Sequence, residues 1–279
     1  MEHSASPAEG ESFLSRHDFL LRRLHSLSGL IPVGAYMVVH LLTNASVLNG
    51  AETFQNQVDT IHSLGFVLPL VEWTFIFIPL LFHAIFGFVI IRSGKSNAGQ
   101  YPLQRNVRYT LQRVTGMIAF LFILYHVWQL HWMGGPLGGG KFDPHHATSS
   151  AAAAIGAAPW IQAIYAVGVL ACVFHLANGL WTMGITWGVW TSPAAQRRAD
   201  YVCTAFGVGL AIVGLSALFG MVTVDQDKAR AIEQARIELD EERQQRIEKS
   251  LQALESSVQH DEGGAAKTQA ASSVAGVSK

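Results

Sequence analysis

Four histidines interrupt four otherwise apolar stretches: His40 in YMVVHLLTN, His83 in PLLFHAIFG, His126 in FILYHVWQL and His175 in CVFHLANGL. Ionisable groups are costly at membrane depth, so they face the bundle interior and serve a function there. A single one is explained by a neutral imidazole hydrogen-bonded across helices. Four, one per stretch at intervals of 43, 43 and 49 residues, ask for a shared ligand. Imidazole is a strong axial donor to heme iron, and helix bundles hold cofactors between facing helices. Two imidazoles fill both axial positions, which favours electron transfer over oxygen chemistry. The only cysteines are Cys172 and Cys203, and no C-x-x-C-H occurs, so the group would be non-covalent heme b. The two thiols themselves read as reduced, apolar groups in membrane helices.

Elements able to carry these residues are plain in the composition. Half of the 279 residues are hydrophobic and only 14% are charged. Five stretches, 27–48, 67–91, 113–133, 160–187 and 202–224, are long enough to cross a hydrocarbon core about 30 Å thick. The fold expected is an all-α membrane protein, a five-transmembrane-helix bundle with a charged helical C-terminal tail. Its parts are a polar N-terminal segment (1–19), a membrane domain (20–224) and a tail (225–279) that is helical and then disordered. Residues 1–19 hold no apolar core of a cleavable signal peptide. Pro79, one turn before His83, predicts a local kink. A net charge of −1 suggests no nucleic-acid partner.

Arg16, Arg22 and Arg23 precede the first span; Arg92, Lys95, Arg105 and Arg108 fill the second connection; Arg197 and Arg198 lie in the fourth. The other two connections hold only Lys141. The positive-inside rule therefore places the N-terminus in the cytoplasm. Each of the four histidines lies past the midpoint of its own helix, so His40 and His126 share the outer half, and His83 and His175 the inner half. Gly87 and Gly179, four residues after His83 and His175, would let a flat ligand approach, or serve ordinary small-residue packing. His25, with Arg22, Arg23 and Arg113, could neutralise heme propionates, although topology alone explains the arginines equally well. His131 stands off the face of His126, and His145 and His146 read as solvated loop residues. Glu72 is the only acid inside these five spans, near the outer end of the second. It is a candidate for quinone proton handling, or a helix-end carboxylate at the headgroup level.

The segments RRLHSLSGLIPVGAYMVVHLL, PLLFHAIFG, LQRVTGMIAFLFILYHVW and FHLANGLWTMGITWG resemble the single-chain, five-helix, diheme cytochrome b anchor of bacterial succinate dehydrogenases and fumarate reductases. The resemblance runs from about Phe19 to about Val224. It implies a multi-pass subunit of the bacterial cytoplasmic membrane, beside flavoprotein and iron–sulfur partner subunits that carry FAD and the iron–sulfur clusters. Succinate or fumarate chemistry would lie on those partners, with a quinone, commonly menaquinone, at the membrane. Carried over, His40 and His126 ligate the outer heme, and His83 and His175 the inner one. About 55 residues follow the fifth span, more than such anchors usually have. The alternatives are a cytochrome b subunit of another respiratory enzyme, such as a hydrogenase or nitrate reductase, and a cofactor-free transporter with a histidine-lined path.

Overall fold

The computed structural model describes residues 13–93 and 104–275, so Lys95 and the first residues of the polar N-terminal segment lie outside the described part. All regular elements among the described residues are helical. They group into two compact units, one ending at Arg230 and one beginning at Ala231.

In the first unit, five stretches are long and apolar enough to cross a membrane: Arg16–Asn49, Gly65–Arg92, Asn106–Leu130, Pro159–Thr186 and Pro193–Thr223. They coincide with the five expected spans; the first, third and fifth begin earlier because their polar ends are also helical. The helices are α1 (Phe13–Ser28), α2 (Ala35–Ala45), α3 (Ala51–His62), α4 (Leu68–Glu72), α5 (Ile78–Ser93), α6 (Gln104–Leu130), α7 (Ala147–Gly156), α8 (Pro159–Thr186), α9 (Pro193–Thr223) and α10 (Gln226–Ala275). Helix α8 is the inner one: 44% of its apolar window is buried, against 6–22% for the other spans. It packs on α6 and α9, while α1 packs on α5.

Two prolines shape the first two spans. Ile31 leaves the helical region (φ −129°, ψ 112°), as the residue before a proline is pushed to do. Pro79 has no N–H to return to the preceding turn. That turn, Trp73–Phe77, is widened, and the N–H of Ile78 reaches back to Trp73 O. The kink expected near Pro79 is this widened turn.

Each end of the bundle is tied by polar side chains. At the arginine-bearing end, Trp187 Nε1 donates to Ser26 Oγ (3.0 Å) and Arg113 donates to Ile90 O (3.3 Å). At the opposite end, Gln55 Nε2 donates to Pro144 O (2.7 Å), Gln55 Oε1 accepts from Ala147 N (2.9 Å) and Thr148 Oγ1 donates to Ala51 O (3.1 Å). These bonds dock α7 on α3, over a core of Val47, Phe54, Val58, Ala151, Ile155 and Met221. The Gly/Ala-rich connection 134–159 is thus helical in its Ala-rich half. His146 is not the solvated residue expected: its ring bonds Asp143 at 2.9 Å, while Asp143 Oδ1 accepts from His145 N. Partial burial raises the Asp143 carboxyl, but those bonds outweigh it and hold it below its ordinary value. The stabilisation is present above the ordinary carboxylate pKa and is lost only as the pH falls through that lowered value.

The fifth span ends at Val224, which is extended, and Asp225 then caps α10 by accepting from Lys228 N at 3.1 Å. Helix α10 continues to Ala275, past Gly263, where the sequence alone reads as disordered.

Candidate functional site

The four histidines meet as two pairs. His40 on α2 faces His126 on α6, with ring centres 5.7 Å apart and planes at 81°. His83 on α5 faces His175 on α8, with centres 6.0 Å apart and planes at 90°. A metal–imidazole nitrogen bond is about 2 Å long, so two imidazoles on opposite sides of one metal ion have ring centres roughly 6 Å apart. Among the described residues no group of three His, Cys, Asp or Glu could hold a bare metal ion. Two facing imidazoles suit a macrocycle that brings its own four equatorial nitrogens.

Hydrogen bonds at Nδ1 decide which ring nitrogen is free. His83 Nδ1 donates to His25 O (2.9 Å) and His175 Nδ1 donates to Gln112 O (3.0 Å). A helical carbonyl is usually shielded by the side chain four residues on. Here those residues are Gly29 and Gly116. A Cβ on Gly29 would stand 2.6 Å from His83 Nδ1, and one on Gly116 2.8 Å from His175 Cε1. These two glycines, rather than Gly87 and Gly179, accommodate the imidazoles. Gly87 and Gly179 would meet His25 and Gln112 at the more ordinary distances of 3.4 and 3.5 Å.

In the other pair, His126 Nδ1 lies 3.3 Å from Tyr165 Oη. The Tyr165 hydroxyl donates to Gln129 Oε1 (2.9 Å), and Gln129 Nε2 donates to Ala154 O (2.9 Å). The phenol oxygen therefore accepts from His126 Nδ1–H. His40 Nδ1 contacts Tyr36 Oη more loosely, at 3.5 Å. In all four histidines the Nδ1 side is engaged by protein, the outer-sphere arrangement typical of metal-bound imidazole. Replacing Tyr165 with Phe leaves His126 Nδ1 and Gln129 Oε1 unpaired. We expect about 1–3 kcal/mol lower stability and, for any cofactor that His126 ligates, roughly tenfold weaker retention, read by denaturation and by cofactor transfer to a scavenger.

His25 stacks on His83, with ring centres 4.0 Å apart, and its buried Nδ1 has no hydrogen-bond partner among the described residues. Of the arginines grouped with it from sequence, Arg22 pairs with Asp18 (2.7 Å) and Arg23 lies over the Phe19 and Trp187 rings. Glu72, at the end of α4, lies 3.5 Å from His131 Nε2. The backbone N–H of Met133 points at His131 Nδ1, which leaves Nε2–H toward the carboxylate. Sequence reasoning set His131 aside as off the helical face of His126. Helix α6 stops at Leu130 and His131 is extended (φ −80°, ψ 149°), so helical spacing no longer applies to it. Its ring packs against Phe77 and Trp132.

Comparison with known proteins gives the family. The family model described as "Succinate dehydrogenase/Fumarate reductase transmembrane subunit" matches residues 100–226. The succinate dehydrogenase cytochrome b558 subunit of Bacillus subtilis (strain 168) is 41% identical over 208 residues, covering 74% of this chain and 98% of that protein. The chain belongs to the succinate dehydrogenase/fumarate reductase transmembrane subunit family. As a transmembrane subunit of this family it is part of an enzyme complex, and its five apolar helices are the membrane-spanning part. The family match ends at residue 226, where α10 begins.

Proposed function

We propose that this chain is the membrane anchor and electron-transfer subunit of a succinate:quinone oxidoreductase. His40 and His126 hold one b heme, and His83 and His175 hold a second. The observation that carries the reading is the pair of facing imidazoles, repeated twice, with Nδ1 of each ring engaged by protein. The cytochrome b558 name of the Bacillus subtilis relative supports the cofactor class. Bound between paired imidazoles, the hemes supply one-electron transfer between the iron–sulfur subunit and quinone. The chain's own part is to hold the rings. His25 O and Gln112 O keep the protons of His83 and His175 on Nδ1, and the buried His25 Nδ1 would be available to a propionate.

The arginine-bearing end faces the cytoplasm, where the flavoprotein and iron–sulfur partners dock. FAD and the iron–sulfur clusters belong to those partners, as does the succinate or fumarate chemistry. The membrane domain, 20–224, carries the function, and 225–279 is an appended tail. At the opposite end, Glu72 and His131 are suited to hold a proton between Oε1 and Nε2 for a quinone, commonly menaquinone in this family. For Glu72→Gln we expect both hemes to remain reducible by succinate while quinone turnover falls by about 100-fold. Unchanged turnover would make Glu72 a headgroup-level carboxylate.

The test of the main reading is heme content and a reduced-minus-oxidised spectrum on the complex purified with its native partners. Two non-covalent b hemes per chain, reduced on addition of succinate, support it. A folded, heme-supplied chain without heme overturns it.

A further inference from the structure

The His175 imidazole is reached by a polar chain from the arginine-bearing end of the bundle. Arg108 is clamped there: it pairs with Asp200, and its guanidinium lies 4.1 Å over the Trp181 ring. Trp181 is itself held, donating from Nε1 to Gln196 O at 3.1 Å. Arg108 Nε donates to Asn178 Oδ1 (2.7 Å). Asn178 Nδ2 donates to Gln112 Oε1 (2.7 Å). Gln112 Nε2 donates to His175 O (3.2 Å) and lies 3.4 Å from His175 Nε2. Arg108 and Gln112 are one turn apart on α6, and His175 and Asn178 one turn apart on α8, so the two helix faces interlock.

The direction of this chain is determined at its first member. A guanidinium has donors only. Asn178 must therefore present its oxygen to Arg108 and its NH2 to Gln112. Gln112 must accept at Oε1 and direct its own NH2 at His175. That NH2 is taken up by the His175 carbonyl, while the Nδ1–H bond to Gln112 O fixes the tautomer and leaves the Nε2 lone pair for the iron. Asn178 is 2% exposed, so water does not compete for its amide.

We infer that Arg108, Asn178 and Gln112 form a one-way hydrogen-bond relay that holds Gln112 against the His175 carbonyl, so that the Gln112 carbonyl fixes the orientation of the His175 ring, and that the three act as positioning residues for its Nε2. This deepens the proposed function and rests on His175 being a heme ligand. The test uses the assembled complex carrying Asn178→Leu, which is close in size and uncharged. We expect both hemes to be present. The heme at His83–His175 should show a shifted midpoint potential and a shifted low-field electron paramagnetic resonance signal. It should also pass to apomyoglobin about tenfold faster, with the heme at His40–His126 unchanged in all three readouts. If Asn178→Leu does not assemble, Arg108→Gln carries the same test, since glutamine can accept as well as donate and the direction is lost. Arg108→Lys, still a pure donor, should restore the wild-type signature in part. An unchanged signature of the His83–His175 heme in the assembled variant overturns the relay alone. A wild-type complex with no heme, or one in which His175→Ala keeps both hemes, overturns the ligand assignment beneath it.

Discussion

If the paired histidines hold the hemes proposed for them, replacing His83 or His175 with alanine should remove one b heme of two, and replacing His40 or His126 should remove the other. This is the largest effect we expect from any single substitution in the chain. An alanine at His175 deletes the proposed axial donor and also leaves the Gln112 carbonyl, which accepts from His175 Nδ1, without that partner. The same holds at His83 and the His25 carbonyl. Neither loss reaches the other pair directly, because His40 and His126 draw on Tyr36 and Tyr165 instead. Pyridine hemochrome quantification with redox titration of each variant would show one heme per chain and one surviving potential. The surviving potential should be the same for the two members of a pair. Equal loss of both hemes in all four variants would leave the pairing without support.

A side chain at Gly116 should damage the same pair as loss of the histidine it touches, in proportion to its size. Gly→Ala within a helix ordinarily gains about 1 kcal/mol. At Gly116 the added Cβ would lie 2.8 Å from His175 Cε1 and 3.1 Å from Nδ1, closer than side-chain carbons pack. The ring cannot swing aside without breaking its bond to Gln112 O, so the gain is replaced by an overpacking cost of about 1–3 kcal/mol. We expect Gly116→Ala to weaken heme binding at His83–His175 and Gly116→Val to abolish it, with the other heme intact. Gly29 should behave likewise through His83. Gly209→Ala is the control, since nothing lies within 4 Å of its added Cβ; it should keep both hemes and full stability. Both hemes retained with unaltered spectra in Gly116→Val would refute the glycine argument.

The alanine-rich connection shows one limit of reading from sequence. Its composition announced helix formers but not their docking, because Gln55 and Thr148 bond it to α3 across about 90 intervening residues. His131 shows another. Periodicity assigns faces only while a helix lasts, and the helix stops one residue before it. Gly29 and Gly116 each stood inside a quoted segment, yet nothing local distinguished them from Gly87 or Gly179.

By itself the sequence determined the five spans, their four central histidines and the two pairs those histidines form. Hydrophobic length and depth along a helix are local quantities, read from runs of residues. Tertiary structure alone decided which carbonyl each imidazole bonds, which glycines uncover those carbonyls, and that Arg108, Asn178 and Gln112 line up on His175. Those are contacts between helices, set by rotation and crossing of neighbours, and no spacing along a single chain segment encodes them.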